Sequence, residues 1–167
     1  MRSIRLSLGL TAGLAGLLLA ACGGTTSSGT GSSPAASSSA LIHTAPMTVG
    51  AKTVTVLKNA KGLTLYYFTP DTATTVACTG GCVSNWPPLL ATSGTPTSNP
   101  ALPGQLTVLN GANGNQVLYN GHPLYTYVKD GDAGDAYGQG VGGKWFVATA
   151  DLAAPSGPAK ESPPAYY

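Results

Sequence analysis

A mainly β fold is predicted, one small compact domain of two related β-hairpin repeats behind a signal peptide and a flexible tether. Three features predict it. Charged residues make up only 8% of the chain while Gly, Thr, Asn and Tyr are common, a composition that favours strands and turns over helices. Short apolar segments alternate faces with period two and end on turn residues. A constant offset of 59 positions maps Gly62 to Gly121, Leu65 to Leu124, Tyr66 to Tyr125, Phe68 to Tyr127, Asp71 to Asp130 and Trp86 to Trp145. Trp86 and Trp145 are the only 2 tryptophans, so agreement there is hard to attribute to chance, and an internal repeat follows.

The first repeat is expected at about 53–90. Thr53 to Leu57 alternates as a strand, and Lys58-Asn59-Ala60-Lys61-Gly62 is a hairpin-length loop ending on Gly. Leu65-Tyr66-Tyr67-Phe68 is a second strand with Tyr66 and Phe68 on one side. The second repeat is expected at about 106–149. Leu106 to Leu109 and Gln116 to Tyr119 read as strands, and Asn120-Gly121 is a strong hairpin turn because both residues tolerate positive φ. Leu124 to Tyr127 repeats the aromatic strand, and Lys144 to Ala148 reads as a late strand. Together these place the folded domain at 47–153.

The two ends differ from this middle. Arg2 and Arg5 precede an uncharged run from Leu6 to Ala21, which reads as a secretory signal over 1–21. Leu19-Ala20-Ala21-Cys22 resembles the lipobox of bacterial lipoproteins. The resemblance implies a diacylglyceryl group on Cys22, cleavage before it, and a cell-membrane, lipid-anchored location on the extracytoplasmic face. Each buried acyl CH₂ is worth about 0.8 kcal/mol, so two or more chains hold stably. Residues 22–46, the lipidated Cys22 and a Gly/Ser/Ala stretch containing His43, read as a disordered tether. The Pro-rich 154–167 reads as a disordered tail.

Without the signal, 6 lysines face 6 acids, a formal balance of zero with no basic patch, which argues against nucleic acid as a partner. With Cys22 given to lipid, Cys78 and Cys82 remain. In an oxidising compartment the pair reads first as a disulfide, with a redox-active pair as the alternative.

Tyr66-Tyr67-Phe68-Thr69-Pro70-Asp71 and Tyr125-Thr126-Tyr127-Val128-Lys129-Asp130 both fit a Tyr-x-aromatic-x-x-Asp pattern. The chain here resembles the bacterial secreted-repeat lipoproteins of unknown function. Cys78 to Cys82 followed by Trp86-Pro87-Pro88 looks like the Cys-rich insert common in that family's first copy, and Gly138 to Trp145 looks like its second-copy counterpart. The resemblance implies an envelope lipoprotein and brings no activity, cofactor or catalytic residue.

Chemistry is sparse. There is no Gly-x-Ser-x-Gly elbow, His-Glu-x-x-His, phosphate loop or haem attachment site. No catalytic residue is assigned. The repeated Tyr66, Phe68, Trp86, Tyr125, Tyr127 and Trp145 are read as core, with an exposed aromatic platform as the alternative. Asp71 and Asp130 are read as turn caps, with a carboxylate pair as the alternative. No cofactor is expected, although Asp130, Asp132 and Asp135 on a Gly-rich loop are oxygen donors of the type Ca²⁺ takes. The function expected is a non-catalytic binding or structural module of the cell envelope, facing a wall component or an envelope protein. The alternative is a redox- or metal-linked factor using Cys78/Cys82, His122 or the Asp130–Asp135 loop.

Overall fold

The computed structural model describes residues 40–155. The signal peptide, Cys22, the tether up to residue 39 and the tail beyond residue 155 lie outside the described residues. Among the described residues there are eight strands and two short 3-10 turns, and no α-helix.

The strands are β1 (Ile42–Val49), β2 (Lys52–Asn59), β3 (Tyr66–Phe68), β4 (Ser98–Asn99), β5 (Leu106–Gly111), β6 (Gly114–Tyr119), β7 (His122–Pro123) and β8 (Trp145–Val147). β1 begins inside the stretch read as tether. His43, expected to lie outside the fold, pairs with Lys58 across the β1–β2 hairpin and with Asn99 on the other side. Ala45 and Pro46 just after it interrupt the strand signal. What fixes β1 is its partner, since Ile42 is fully buried against Leu57 and Leu65. Pro46, which has no N–H to give, sits on β1 beyond the two residues that β4 covers.

The two repeats share a hairpin and a tight return, while Leu124 to Tyr127, expected as a strand like β3, makes only isolated bridges at Tyr125. β1–β2 and β5–β6 are antiparallel hairpins. Each is followed by a tight return: Lys58 bridges Thr64 in the first repeat and Leu118 pairs with Pro123 in the second. In the second return Asn120 and Gly121 take φ of 48° and 82°, the positive values expected from that dipeptide. The turn at Asn120 to His122 is held by Leu152 to Pro155. The Asn120 side-chain amide donates to the Leu152 carbonyl, and Pro155 lies beside Gly121.

The repeats are not stacked side by side; they exchange segments. Leu57 N–H donates to the Ala148 carbonyl and Ala148 N–H to the Leu65 carbonyl, so the end of the second repeat pairs with the hairpin of the first. The counterpart bonds run the other way: Val117 N–H donates to Leu89 and Leu89 N–H to Leu124. Ala150 N–H donates to Thr55 and Ala91 N–H to Asn115 in the same reciprocal sense. At the centre Tyr66 and Tyr125 bond each other through both backbone groups, at 2.8 and 2.9 Å. β3 pairs with β8, its partner from the other repeat.

The apolar interior has two parts. Ile42, Leu57, Leu65, Leu89, Val117, Tyr119, Leu124 and Ala148 form one. Val56, Tyr66, Cys78, Trp86, Tyr125, Trp145 and Val147 form the other. Each part draws on both repeats, so neither repeat encloses its own core.

Candidate functional site

The repeated motif residues converge where the two repeats cross. Alternation along β3 turns Tyr66 and Phe68 to one face, and the same alternation turns Tyr125 and Tyr127 inward. The Tyr66 hydroxyl donates to Asp130 Oδ2 at 2.6 Å, and the Tyr125 hydroxyl donates to Asp71 Oδ2 at 2.6 Å. Each tyrosine is therefore fastened to the aspartate of the opposite repeat. The other carboxylate oxygen caps its own loop: Asp71 Oδ1 accepts from Ala77 N–H at 2.7 Å and Asp130 Oδ1 from Tyr137 N–H at 3.1 Å. The cap expected at these positions is half of what they do; the tyrosine bond is the other half.

Both aspartates are buried, at 4% and 5% exposure. Burial raises the Asp71 carboxyl above its ordinary range, opposed by the bonds from Tyr125 and Ala77. Burial likewise raises Asp130, opposed by the bonds from Tyr66 and Tyr137. Tyr66 and Tyr125 are pushed far up, first by burial and then by the carboxylate each one faces. At neutral pH both phenols keep their protons and act as donors.

This geometry fixes the sign of a pH effect. The fold favours the protonated carboxyl of Asp71 and Asp130 more than the unfolded chain does. Stability tied to these groups is fully present below the ordinary aspartate value of 3.8 and declines as pH rises through the raised folded values. Melting profiles of the parent protein against Asp71→Asn and Asp130→Asn should show the gap shifting in the parent's favour as pH falls from neutrality towards that value. A gap that does not move with pH would contradict the raised values.

Four rings stack in a row beside these pairs. Tyr127 lies on Trp86 at 4.1 Å between centroids, Trp86 on Trp145 at 3.7 Å and Trp145 on Phe68 at 4.3 Å. The indole planes are parallel, with an interplanar angle of 0°. Tyr66 meets Trp86 edge-on at 5.5 Å and Tyr125 meets Trp145 edge-on at 5.2 Å. The order alternates between the repeats, so the stack too is shared. Both indoles are 5% exposed, and the motif aromatics form core rather than a surface platform.

The inserts differ between repeats. Cys78 and Cys82 form a disulfide, with Cys78 buried and a 3-10 turn over Gly80–Ser84 leading to Trp86. In the second repeat Gly138 fits where nothing larger can. A Cβ there would lie 2.7 Å from the Tyr66 ring and 2.9 Å from Trp86. Gly138→Ala should cost about 2 kcal/mol through overpacking, read as a shift in the denaturation midpoint; an unchanged midpoint would show that the rings have room to move.

The carboxylates expected to share a cation do not converge. Asp130 points inward to Tyr66, while Asp135 Oδ2 accepts the Gly131 and Asp132 N–H groups of its own turn at 2.9 Å each. Those bonds hold the Asp135 carboxyl below its ordinary value. The described residues contain no group of three His, Cys, Asp or Glu side chains placed to hold a metal.

Lys58 organises this loop, a role not legible in the sequence. It is 3% exposed, and its Nζ donates to Thr64 Oγ1 at 2.8 Å and to the Ala133 carbonyl at 2.6 Å. Burial lowers its pKa, opposed by Asp130 and Asp135. The His122 ring lies 4.8 Å from Tyr67 and its Nε2 lies 2.9 Å from the Ala153 carbonyl. Burial lowers its pKa.

A family model described as a secreted repeat of unknown function matches residues 47–90 and 107–149. Each match falls within one of the two interlocked units, the first beginning inside β1 and the second inside β5. No curated protein and no solved structure matched the chain. Among the described residues no helix is long and apolar enough to cross a membrane. With both repeats matched across more than half its length, the chain belongs to the family of secreted repeats of unknown function.

Proposed function

We propose that this secreted-repeat protein is a lipoprotein anchored through Cys22 on the extracytoplasmic face of the cell membrane. Its folded domain is a non-catalytic binding or structural module of the envelope, presented to a wall component or an envelope protein. The observation that carries the non-catalytic reading is the reciprocal pairing of Tyr66 with Asp130 and Tyr125 with Asp71. The repeated polar side chains, the natural candidates for acid–base work, are buried and bonded to one another. A general acid or base must reach the proton it moves, and these groups are taken up by each other and by backbone N–H groups of the adjoining loops. The lipobox resemblance at Leu19 to Cys22 supports the anchor.

Two measurements test this reading in the producing cell. Metabolic labelling with a clickable fatty acid should mark the protein and hold it in the membrane fraction, with Cys22→Ser losing both label and retention. Purified protein incubated with isolated cell walls should sediment with them and release no soluble wall fragments. Retention unchanged by Cys22→Ser would remove the anchor, and fragment release abolished by Asp71→Asn or Asp130→Asn would replace the binding module with a hydrolase.

A further inference from the structure

The ring stack has a direction that a purely packing role does not require. Its second-repeat end is Tyr127, a half-buried phenol that is readily oxidised. Its first-repeat end is the corresponding Phe68, which is not. Between them the two indoles lie face to face at 3.7 Å, shielded from water. Parallel π faces in contact share a positive charge, which makes the pair easier to oxidise than a lone indole. Tyr66 and Tyr125 then touch the indoles edge-on, and each phenol already points at a carboxylate 2.6 Å away. A phenol loses an electron far more easily when its proton has an acceptor in place.

We propose that this aromatic ladder is a one-electron relay, which takes an oxidising equivalent at Tyr127, carries it over the Trp86–Trp145 pair, and delivers it to Tyr66 or Tyr125 with transfer of the phenolic proton to the aspartate of the facing repeat. The oxidant is of the peroxyl-radical class. One electron leaves the ladder and converts the peroxyl radical to its peroxide anion. The phenolic O–H bond of Tyr66 or Tyr125 breaks, its proton passes to Asp130 or Asp71, and a neutral tyrosyl radical and a neutral carboxyl remain. No net charge is created inside the fold, which matters because an uncompensated buried charge is costly. Burial of Asp71 and Asp130 already favours their protonated forms. The relay goes beyond the envelope role and does not depend on it.

The test is flash photolysis of the folded protein with photogenerated tris(bipyridine)ruthenium(III) as oxidant. The background carries Tyr137→Phe, Tyr166→Phe and Tyr167→Phe, which removes the 65% exposed Tyr137 and the two C-terminal phenols. The equivalent that enters at Tyr127 should appear next as a tryptophan radical and then decay into a tyrosyl radical, more slowly in D₂O than in H₂O. Tyr66→Phe with Tyr125→Phe should prolong the tryptophan radical, slow tyrosyl formation and remove its dependence on D₂O, because Tyr127 remains on the stack but has no carboxylate facing it. Tyr127→Phe keeps the stack and should abolish the fast phase of tryptophan oxidation. Tyrosyl formation unchanged by the Tyr66/Tyr125 pair of substitutions would overturn the proposal. If that pair fails to fold, equal rates in H₂O and D₂O for the background protein would overturn it equally.

Discussion

Trp145→Ala is expected to cost about 4 kcal/mol of stability, the range for removing a large aromatic side chain from a packed interior. Small domains hold only about 5–15 kcal/mol in total, so this one change removes a large share of it. Trp145 loses contact on three sides at once: Trp86 and Phe68 on its faces and Tyr125 at its edge. The void cannot close cheaply, because the rings around it belong to both repeats. Trp86→Ala should cost a similar amount, since Trp86 makes the mirror contacts with Trp145, Tyr127 and Tyr66. Denaturant titration of both variants reads the effect. A loss below about 1 kcal/mol would mean that the ladder is not part of the stable interior.

Breaking one tyrosine–aspartate bond should cost about 3 kcal/mol, because a buried group that loses its partner also keeps its desolvation penalty. Tyr66→Phe leaves Asp130 short of a donor, and Asp130→Ala leaves the Tyr66 hydroxyl short of its carboxylate. The informative quantity is the coupling in a double-mutant cycle. Tyr66 with Asp130 and Tyr125 with Asp71 should couple by about 1–3 kcal/mol, whereas the pairs within one motif, Tyr66 with Asp71 and Tyr125 with Asp130, should couple by less than about 0.5 kcal/mol. Coupling that is strong within a motif and absent across repeats would contradict the observed exchange.

Period and turn chemistry were enough to locate most of the strands. β2, β3, β6 and β8 fall where alternation and turn residues put them, and the Asn120-Gly121 turn takes its expected backbone. The constant offset made the duplication visible, and the family match covers both copies. Partner choice was not legible. Tyr66 is five positions from Asp71 and 64 from Asp130, and a spacing repeated in both copies is equally compatible with either bond. Only the pairing of each repeat's last segment with the other's hairpin decides it. The start of β1 was hidden for a related reason: Ala45 and Pro46 interrupt the strand signal of Ile42 and Thr44, and the segment is fixed as a strand by β2 beside it. Lys58 read as a turn lysine, yet the loop from the second repeat closes over it and supplies the Ala133 carbonyl. Gly138 sits among many glycines, and nothing in its neighbours' identities marks it as the one packed between Tyr66 and Trp86.

The exchange also explains how a domain with few charges and small strands holds together. Each hairpin carries its own antiparallel pairing and also bonds the end of the other copy. The long connection from Ala91 to Gln105 spans the crossing and carries only the two-residue strand β4. It is therefore the place where the chain can be cut without severing a shared strand of either repeat.

Cutting there separates interdependence from mere adjacency. Two fragments, one ending and one beginning within residues 92–97, should each lack cooperative unfolding as monomers. Mixed in equal amounts they should associate one to one and recover the near-ultraviolet dichroism of the stacked indoles. Either fragment folding alone as a monomer, with a cooperative transition and an ordered indole signal, would show that the repeats are independent units that only touch.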